Sequence, residues 1–292
     1  MLIIAENINV ISQTLGQAMR ERLCQPIQKM AELAQRAGVN YLDLNIGPAK
    51  KNGAELLPWL VETVQQVSEL PLSLDTTNPE AIEEGLKICR RRALINSVSL
   101  QPERLERILP LVAKYHAEMI GLLWGVEGMP RDVDERCLLA VDLVYKANEA
   151  GVATEDIWID PIATPISGDH HKIQSCVEFL GLLPDIASGC KSVVGLSNVS
   201  NGTPTPLRPY LNRVFMVMLE RVGIYAVIAD ALDSELQAIN RGERTALVSL
   251  IHQALDGKSI DFKDISEEES NYVKTAMVLT GQTLYSHAWL EA

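Results

Sequence analysis

The chain has 292 residues, of which 47% are hydrophobic and 22% are charged, and its formal net charge at pH 7 is -12. These values are ordinary for a folded globular protein and argue against extended disorder. The negative charge also disfavours a nucleic-acid-binding groove, which requires clustered Lys and Arg side chains.

The five cysteines are scattered, with no C-x-x-C pair. Their spacing favours reduced thiols and argues against an iron-sulfur cluster or a structural zinc site. No apolar run has the length of a signal region or a membrane span. We therefore expect a cytoplasmic protein that does not enter a membrane.

Apolar segments that suit buried strands alternate with segments of helical periodicity along most of the chain. The predicted strands cover residues 2–8, 39–45, 72–75, 93–96, 118–124, 157–161, 192–196 and 224–229. The predicted helices cover residues 14–38, 56–67, 80–89, 102–115, 132–150, 171–182, 211–222 and a segment from 234 onward.

Eight strand-helix units in succession predict an α/β fold, a closed (β/α)₈ TIM barrel in which residues 1–292 form a single domain. A doubly wound open sheet is the structural alternative. The polar, acidic segment at about 256–271 is predicted to be a loop inserted before a last helix over 272–290.

Nearly every predicted strand delivers carboxylates or carboxamides to its carboxyl end, where α/β folds hold their ligands. The strand-end residues are Glu6, Asn7, Asn9, Asp43, Asn45, Asp75, Asn78, Asn96, Asp160, Asn198 and Asp230. No His, Cys or Lys is among them. This set suits a neutral, hydrogen-bonding heterocycle better than a phosphate or a metal ion, and Asp43 and Asn7 are therefore candidates for substrate binding.

The chemistry of Asp75, Asn96 and Asp160 matches an amino-pyrimidinone edge. A carboxylate accepts two parallel N–H bonds from such an edge, and an asparagine both donates and accepts. Two alternatives remain open on these residues alone. Asp75 could merely cap its own loop, and the carboxylates could hold a divalent ion through oxygen ligands only, although we predict no metal because no histidine joins them.

Five short motifs occur in order along the chain. They are Leu-Asp-Leu-Asn-x-Gly-Pro at 42–48, Leu-Asp-Thr-Thr-Asn at 74–78, Ile-Asn-Ser at 95–97, Ile-Asp-Pro at 159–161 and Gly-Leu-Ser-Asn-Val-Ser at 195–200. With them the chain resembles the pterin-binding, dihydropteroate synthase-like barrel family. Within that family it is most similar to the methyltetrahydrofolate:corrinoid-protein methyltransferases, from residue 1 to about residue 235.

The resemblance implies a role for each matching residue. Asp75, Asn96 and Asp160 would hold the pterin ring, Asn198 would lie near the N5 atom that carries the methyl group, and Arg208 would lie near the folate on the same loop. Tetrahydrofolate or its 5-methyl form would be a substrate. The corrinoid would be carried by a partner protein, of the iron-sulfur or the O-demethylase and methylamine type, and the enzyme would be a homodimer.

The chemistry of methyl transfer indicates Asn198 as the catalytic residue. N5 is a poor leaving group unless its developing electron pair is stabilised, and a carboxamide donor can bond N5 more tightly in the transition state than in the ground state. No strand-end side chain is an obvious general acid. The N5 proton is therefore expected from solvent or a relay, with no covalent enzyme intermediate.

Other functions remain open. Dihydropteroate synthase shares the barrel, but it should carry a Lys and Arg pair after strand seven, where this chain has Ser197-Asn198-Val199. A non-catalytic folate or pterin carrier would use nearly the same residues.

Residues 169–174 approach a pattern that ligates cobalt through histidine, but a helix cap at Asp169 followed by two exposed histidines is the better interpretation. The segment from about 241 to 271 is longer than in the iron-sulfur-protein enzymes, which leaves the partner open.

Overall fold

The computed structural model of the protein describes residues 1–291. Eight parallel strands pair in chain order, and the last strand pairs with the first to close a barrel. The strands are β1 (Leu2–Asn9), β2 (Tyr41–Asn45), β3 (Leu72–Asp75), β4 (Leu94–Ser99), β5 (Glu118–Leu122), β6 (Ile157–Asp160), β7 (Lys191–Gly195) and β8 (Ala226–Ala229). The predicted (β/α)₈ barrel is confirmed.

Eleven α-helices surround the described part of the barrel. They are α1 (Gln13–Glu21), α2 (Cys24–Ala37), α3 (Gly53–Gln65), α4 (Pro79–Leu86), α5 (Pro102–Tyr115), α6 (Val133–Glu149), α7 (His170–Ile186), α8 (Arg208–Arg221), α9 (Ser234–Asn240), α10 (Thr245–Leu255) and α11 (Glu267–Leu279). Within residues 1–291, none of these helices is both long enough and apolar enough to cross a membrane.

Each strand is buried on both faces because its side chains alternate between the barrel interior and the helix layer. Six buried side chains fill the interior: Ile4, Leu94, Ile120, Trp158, Val193 and Ala226. The side chains that point the other way along the strands, such as Ile3, Leu42 and Leu74, belong to the larger core between strands and helices. The alternation of side chains between the two faces of each strand therefore decides which polar residues at the strand ends face inward.

The amino-terminal end of the barrel is filled by a buried polar cluster around Glu118. Its carboxylate accepts hydrogen bonds from the Tyr41 hydroxyl at 3.0 Å and the Trp158 Nε1 at 3.2 Å, and it also pairs with the Lys191 ammonium. The Lys191 nitrogen lies 5.1 Å and 5.5 Å from the ring centroids of Trp158 and Tyr225. A ligand site must therefore lie at the opposite, carboxyl end.

Two local features differ from the prediction. The helix predicted over residues 14–38 is two helices, α1 and α2, separated at Arg22, whose φ of 57° ends α1 in the left-handed region. The loop predicted over 256–271 is shorter, because Ser266 begins α11 with a capping box to Glu269. Residues 267–271 are therefore helical, and α11 ends at Leu279 well before residue 290.

Candidate active site

The carboxyl end of the barrel gathers the inward-facing polar side chains at the ends of the strands. Asn45 pairs in register with Asp75, and Asp75 with Asn96, so the ends of β2, β3 and β4 lie side by side. Asp160 ends β6, and Asn198 closes a 3₁₀ turn directly after β7. The fold therefore brings the predicted residues of distant segments to one mouth.

Asp43, Asp75 and Asn96 form the most tightly connected part of this mouth. The Asn96 amide donates to Asp43 Oδ1 at 3.1 Å, and the Ser73 hydroxyl donates to the same oxygen at 2.5 Å. The Asn45 amide donates to Asp75 Oδ2. These bonds fix both carboxyl groups before any ligand arrives.

Burial raises the pKa of both Asp43 and Asp75, and the negative charge of Asp43 raises the pKa of Asp75 further. The two carboxyls contact each other, and two adjacent carboxylates in a poorly solvated site resist losing both protons. The pair therefore retains a shared proton to higher pH than an isolated carboxyl group would. It can offer both a hydrogen-bond donor and acceptor oxygens to a ligand.

Asp160 stands across the mouth from this pair, almost completely buried. Burial raises its pKa from 3.8 to about 6, although the backbone N–H of Ile162 donates to its Oδ1 at 2.8 Å. Ile162 delivers that N–H with a φ of 66°, a strained value for a β-branched residue. The fully buried Arg136 fixes the adjacent backbone by donating to the Pro161 carbonyl at 3.0 Å.

Asn198 lies half-buried in the 3₁₀ turn that follows β7. Within residues 1–291 its side-chain amide has no hydrogen-bond partner. Its position depends on Gly195 at the end of β7, where an added Cβ would lie 3.2 Å from Asn198 Nδ2 and 3.7 Å from Cγ. The amide therefore rests against a strand end that has no side chain.

Arg208, the first residue of α8, lies against the same loop. Its Nε donates to Ser200 Oγ at 3.2 Å, and its guanidinium lies 3.5 Å from Asn201 Oδ1. Its positive charge lowers the pKa of the Glu6 carboxyl, against the larger effect of burial, which raises it. Arg208 was expected on the same loop as Asn198; it instead begins α8 and contacts that loop at Ser200 and Asn201.

Asn7 differs from the other predicted residues, because both ends of its amide are used within the protein. Its Nδ2 donates to Asp230 Oδ1 at 2.6 Å, and its Oδ1 accepts from the backbone N–H of Ala231 at 2.9 Å. These contacts join the end of β1 to the end of β8. The geometry gives Asn7 a bracing role, and direct contact with a substrate stays a prediction.

Sequence reasoning did not connect Glu6 with Ser197. Glu6 faces inward in register with Leu2 and Ile4, and the Ser197 hydroxyl donates to its Oε1. Glu6 was expected at a strand end, and the alternation along β1 adds that its side chain faces inward. Its partner, in the turn after β7, is far away in the sequence and could only be found from the fold.

Asp169 caps α7, as predicted, but only one of the two histidines expected to be exposed is so. Asp169 Oδ1 accepts from the backbone N–H of His171 at 2.9 Å, which is an N-cap. His171 is exposed, whereas His170 is half-buried and lies against the turn at Gly281. The possible ligand atoms of the three residues lie within 4.8 Å of one another, but the positive end of the α7 dipole disfavours a cation there.

A barrel whose mouth carries buried carboxyl and carboxamide groups defines a protein that binds a small, polar, hydrogen-bonding molecule at its strand ends. The chain belongs to the pterin binding enzyme family, because that family's profile matches residues 27–230, more than half of the chain. The resemblance inferred from the five motifs is confirmed.

Two curated relatives are similar over most of this chain. A methylcorrinoid:tetrahydrofolate methyltransferase of Eubacterium limosum is 27% identical over 238 residues, which cover 81% of this chain and 87% of the relative. A methionine synthase of Mycobacterium leprae is 28% identical over 268 residues, which cover 86% of this chain but only 22% of that much longer protein.

Solved structures of dihydropteroate synthases share the fold. The enzyme of Thermus thermophilus aligns with a TM-score of 0.61 and 23% identity, covering 84% of this chain and 94% of that one. The enzyme of Xanthomonas albilineans aligns with a TM-score of 0.63 and 18% identity, covering 84% and 92%. At these identities the likeness supports the barrel architecture alone.

Proposed function

We propose that the protein is a methyltransferase that exchanges a methyl group between N5 of tetrahydrofolate and the cobalt of a corrinoid protein. The observation that carries the proposal is the free carboxamide of Asn198, held at the same mouth as Asp75, Asn96 and Asp160. The Eubacterium limosum relative, named for this reaction and matched over most of its length, supports it. The methionine synthase relatives support folate-linked methyl transfer in general.

In the proposed chemistry three residues, Asp75, Asn96 and Asp160, bind the pterin and are called the pterin frame. Asn198 contacts the reacting N5 atom. Asp75, Asn96 and Asp160 hold the pterin edge, which leaves the N5-methyl group directed out of the barrel. The electron pair of Co(I) forms the cobalt–carbon bond in line as the carbon–N5 bond breaks. The N5 electron pair, stabilised by the Asn198 amide, then takes a proton from solvent or a relay.

Two alternatives make different demands on the same loop. A dihydropteroate synthase would need paired cations after β7 for its anionic substrates, whereas this loop offers Ser197, Asn198 and the single guanidinium of Arg208. A non-catalytic folate carrier would need the pterin frame but no free amide at N5. The Asn198 geometry favours methyl transfer over both.

The direct test incubates the protein with 5-methyltetrahydrofolate and free cob(I)alamin and follows the methylcobalamin spectrum. A carrier would form none. Asn198→Ala should lower kcat by about 10² or more, as loss of a single transition-state donor does elsewhere, and should leave folate affinity nearly unchanged. Asn148→Ala, an exposed asparagine at the end of α6, is the matched control. Equal losses of rate and affinity would remove the catalytic role of Asn198.

The rim of the mouth fits a protein-bound corrinoid. Large apolar side chains stand exposed on the loops that follow β1, β5 and β8, with Ile11 at 85%, Val126 at 73% and Leu232 at 46% exposure. Contiguous exposed apolar surface marks protein-protein contact sites. We propose that the corrinoid protein, of the iron-sulfur or the O-demethylase and methylamine type, docks here.

Ile11→Asp tests this docking surface. Transfer to a protein-bound corrinoid should slow, while transfer to free cobalamin should stay at the wild-type rate. Leu182→Asp on α7, away from the mouth, is the control. Assays with several purified corrinoid proteins would identify the partner, and an equal loss with free cobalamin would place Ile11 in the pocket instead.

We also propose a homodimer, with the outer face of α6 as the interface. Leu138, Val141 and Tyr145 are 70%, 51% and 60% exposed and lie on one side of this helix. Two α6 helices packed antiparallel would bring Asp134 of each copy toward Lys146 of the other. Tyr145→Glu should yield a monomer in analytical ultracentrifugation, and an unchanged mass would reject this interface.

A further inference from the structure

We propose that Glu6 is a positioning residue, which fixes the reacting amide of Asn198 by holding the neighbouring Ser197 hydroxyl. The inference rests on the proposed methyl-transfer function and adds a residue that touches neither N5 nor the methyl group. It arises because Asn198 is held entirely by its neighbours in the chain, whereas its own amide is left free for the ligand.

The first attachment links the turn that contains Asn198 to strand β1, across the junction where β8 and β1 close the barrel. The Ser197 hydroxyl donates to Glu6 Oε1, and the two residues are 191 positions apart in the sequence. Glu6 ends the inward-facing row of β1, while Ser197 precedes Asn198 in the turn after β7. Strand β8 lies between these two strands, so the bond spans one strand at the rim.

The second attachment lies on the other side of Asn198. The Ser200 hydroxyl donates to the Ser197 carbonyl at 3.2 Å, and Ser200 Oγ accepts from Arg208 Nε at 3.2 Å. Ser200 is completely buried. Asn198 therefore lies between two fixed serines, one tied to β1 through Glu6 and one tied to α8 through Arg208.

Charged groups from three other elements act on the Glu6 carboxyl. Burial raises its pKa, the Ser197 hydrogen bond lowers it, and the carboxylates of Asp230 after β8 and Asp43 on β2 raise it, while Arg208 on α8 lowers it. A neutral carboxyl and a carboxylate both accept from a hydroxyl. A glutamine keeps the acceptor oxygen without the charge, so it separates the hydrogen bond from the electrostatics.

The experiment compares Glu6→Gln, Glu6→Ala, Ser197→Ala and the double variant Glu6→Ala with Ser197→Ala. Loss of one positioning hydrogen bond should lower kcat for transfer to free cob(I)alamin about tenfold. The KM for methyltetrahydrofolate and the calorimetric affinity for the folate should change less than about twofold, because the pterin frame on β3, β4 and β6 is untouched. Glu6→Gln should keep most of the wild-type kcat.

The double variant distinguishes a shared role from two separate ones. If Glu6 acts through Ser197, the two alanine substitutions together should cost no more than either alone. Ser68→Ala is the matched control, because Ser68 is also buried and donates to a side chain, Gln35 Oε1 at 2.7 Å, on the outer helix layer. Its kcat should equal that of the wild type.

Three results would overturn the inference. Wild-type kcat in both alanine variants would remove the positioning role, and additive losses would separate Glu6 from Ser197. Parallel losses of kcat and folate affinity would indicate a collapsed pocket. A wild-type protein that forms no methylcobalamin but binds folate would instead refute the proposed methyl transfer, so the two failures are distinguishable.

Discussion

Replacing Asp160 with asparagine should make the ligand-free protein more stable at neutral pH while it impairs folate binding. Burial raises the pKa of this carboxyl from 3.8 to about 6. The unfolded chain therefore releases the proton first, and the folded state loses stability as the pH rises from about 4 to about 6. A difference of about 2 pH units corresponds to about 3 kcal/mol, which is fully lost above the folded-state pKa.

The amide removes this ionisation cost and keeps the local contact, because its carbonyl oxygen can accept the Ile162 N–H bond now made at 2.8 Å. The free energy of unfolding of Asp160→Asn at pH 7.5 should therefore be up to about 3 kcal/mol higher than that of the wild type. For a chain of this size that is about 5 °C in Tm. The two proteins should be equal near pH 4.

Urea denaturation of the ligand-free protein between pH 4.5 and pH 8 measures the difference, with exposed Asp185→Asn on α7 as the control. Calorimetry on the same samples should show folate affinity reduced about 10-fold to 100-fold, the cost of one charge-assisted hydrogen bond. A variant that is less stable at pH 7.5, or a difference that does not change with pH, would refute the reasoning about burial.

Three further substitutions test other parts of the structure. Asp75→Ala should weaken folate binding at least tenfold in calorimetry, and unchanged affinity would contradict the assignment of the whole pterin frame. Gly195→Ala places a methyl group 3.2 Å from Asn198 Nδ2, so stopped-flow kcat should fall more than folate affinity, and a wild-type kcat would show that the amide can move freely. Ser266→Ala removes the capping box with Glu269 and should cost about 1 kcal/mol in urea unfolding, with kcat unchanged; a loss of kcat would link α11 to the mouth.

The barrel and its polar mouth were predictable because one physical rule governs both. Side chains alternate along each strand, and parallel strands end at one face, so a row of strand-end carboxylates and amides marks that face. Asp43 and Asp75, separated in the chain by a helix, lie in contact for this reason. The same rule places Glu6 inward but does not reveal its partner, since a bond between β1 and the turn after β7 depends on how the barrel closes.

The local errors also have physical causes. No glycine or asparagine marks the end of α1, where Arg22 takes the left-handed conformation, so the helical periodicity continues through the break. Pro26 was a usable signal, because proline is tolerated in the first turn of a helix and α2 begins at Cys24. At the other end of the chain, Ser266 and Glu269 have the spacing of a capping box, which outweighs the acidic composition of that segment.

The filled floor of the barrel has a kinetic consequence. Glu118 and its partners Tyr41, Trp158 and Lys191 close the amino-terminal end, so within residues 1–291 a ligand must enter at the carboxyl end of the barrel. If the corrinoid protein covers that entrance during transfer, the folate must enter before docking and can leave only after undocking. Steady-state kinetics should then be sequential and ordered through a ternary complex, and excess corrinoid protein should slow turnover by trapping the folate product beneath it.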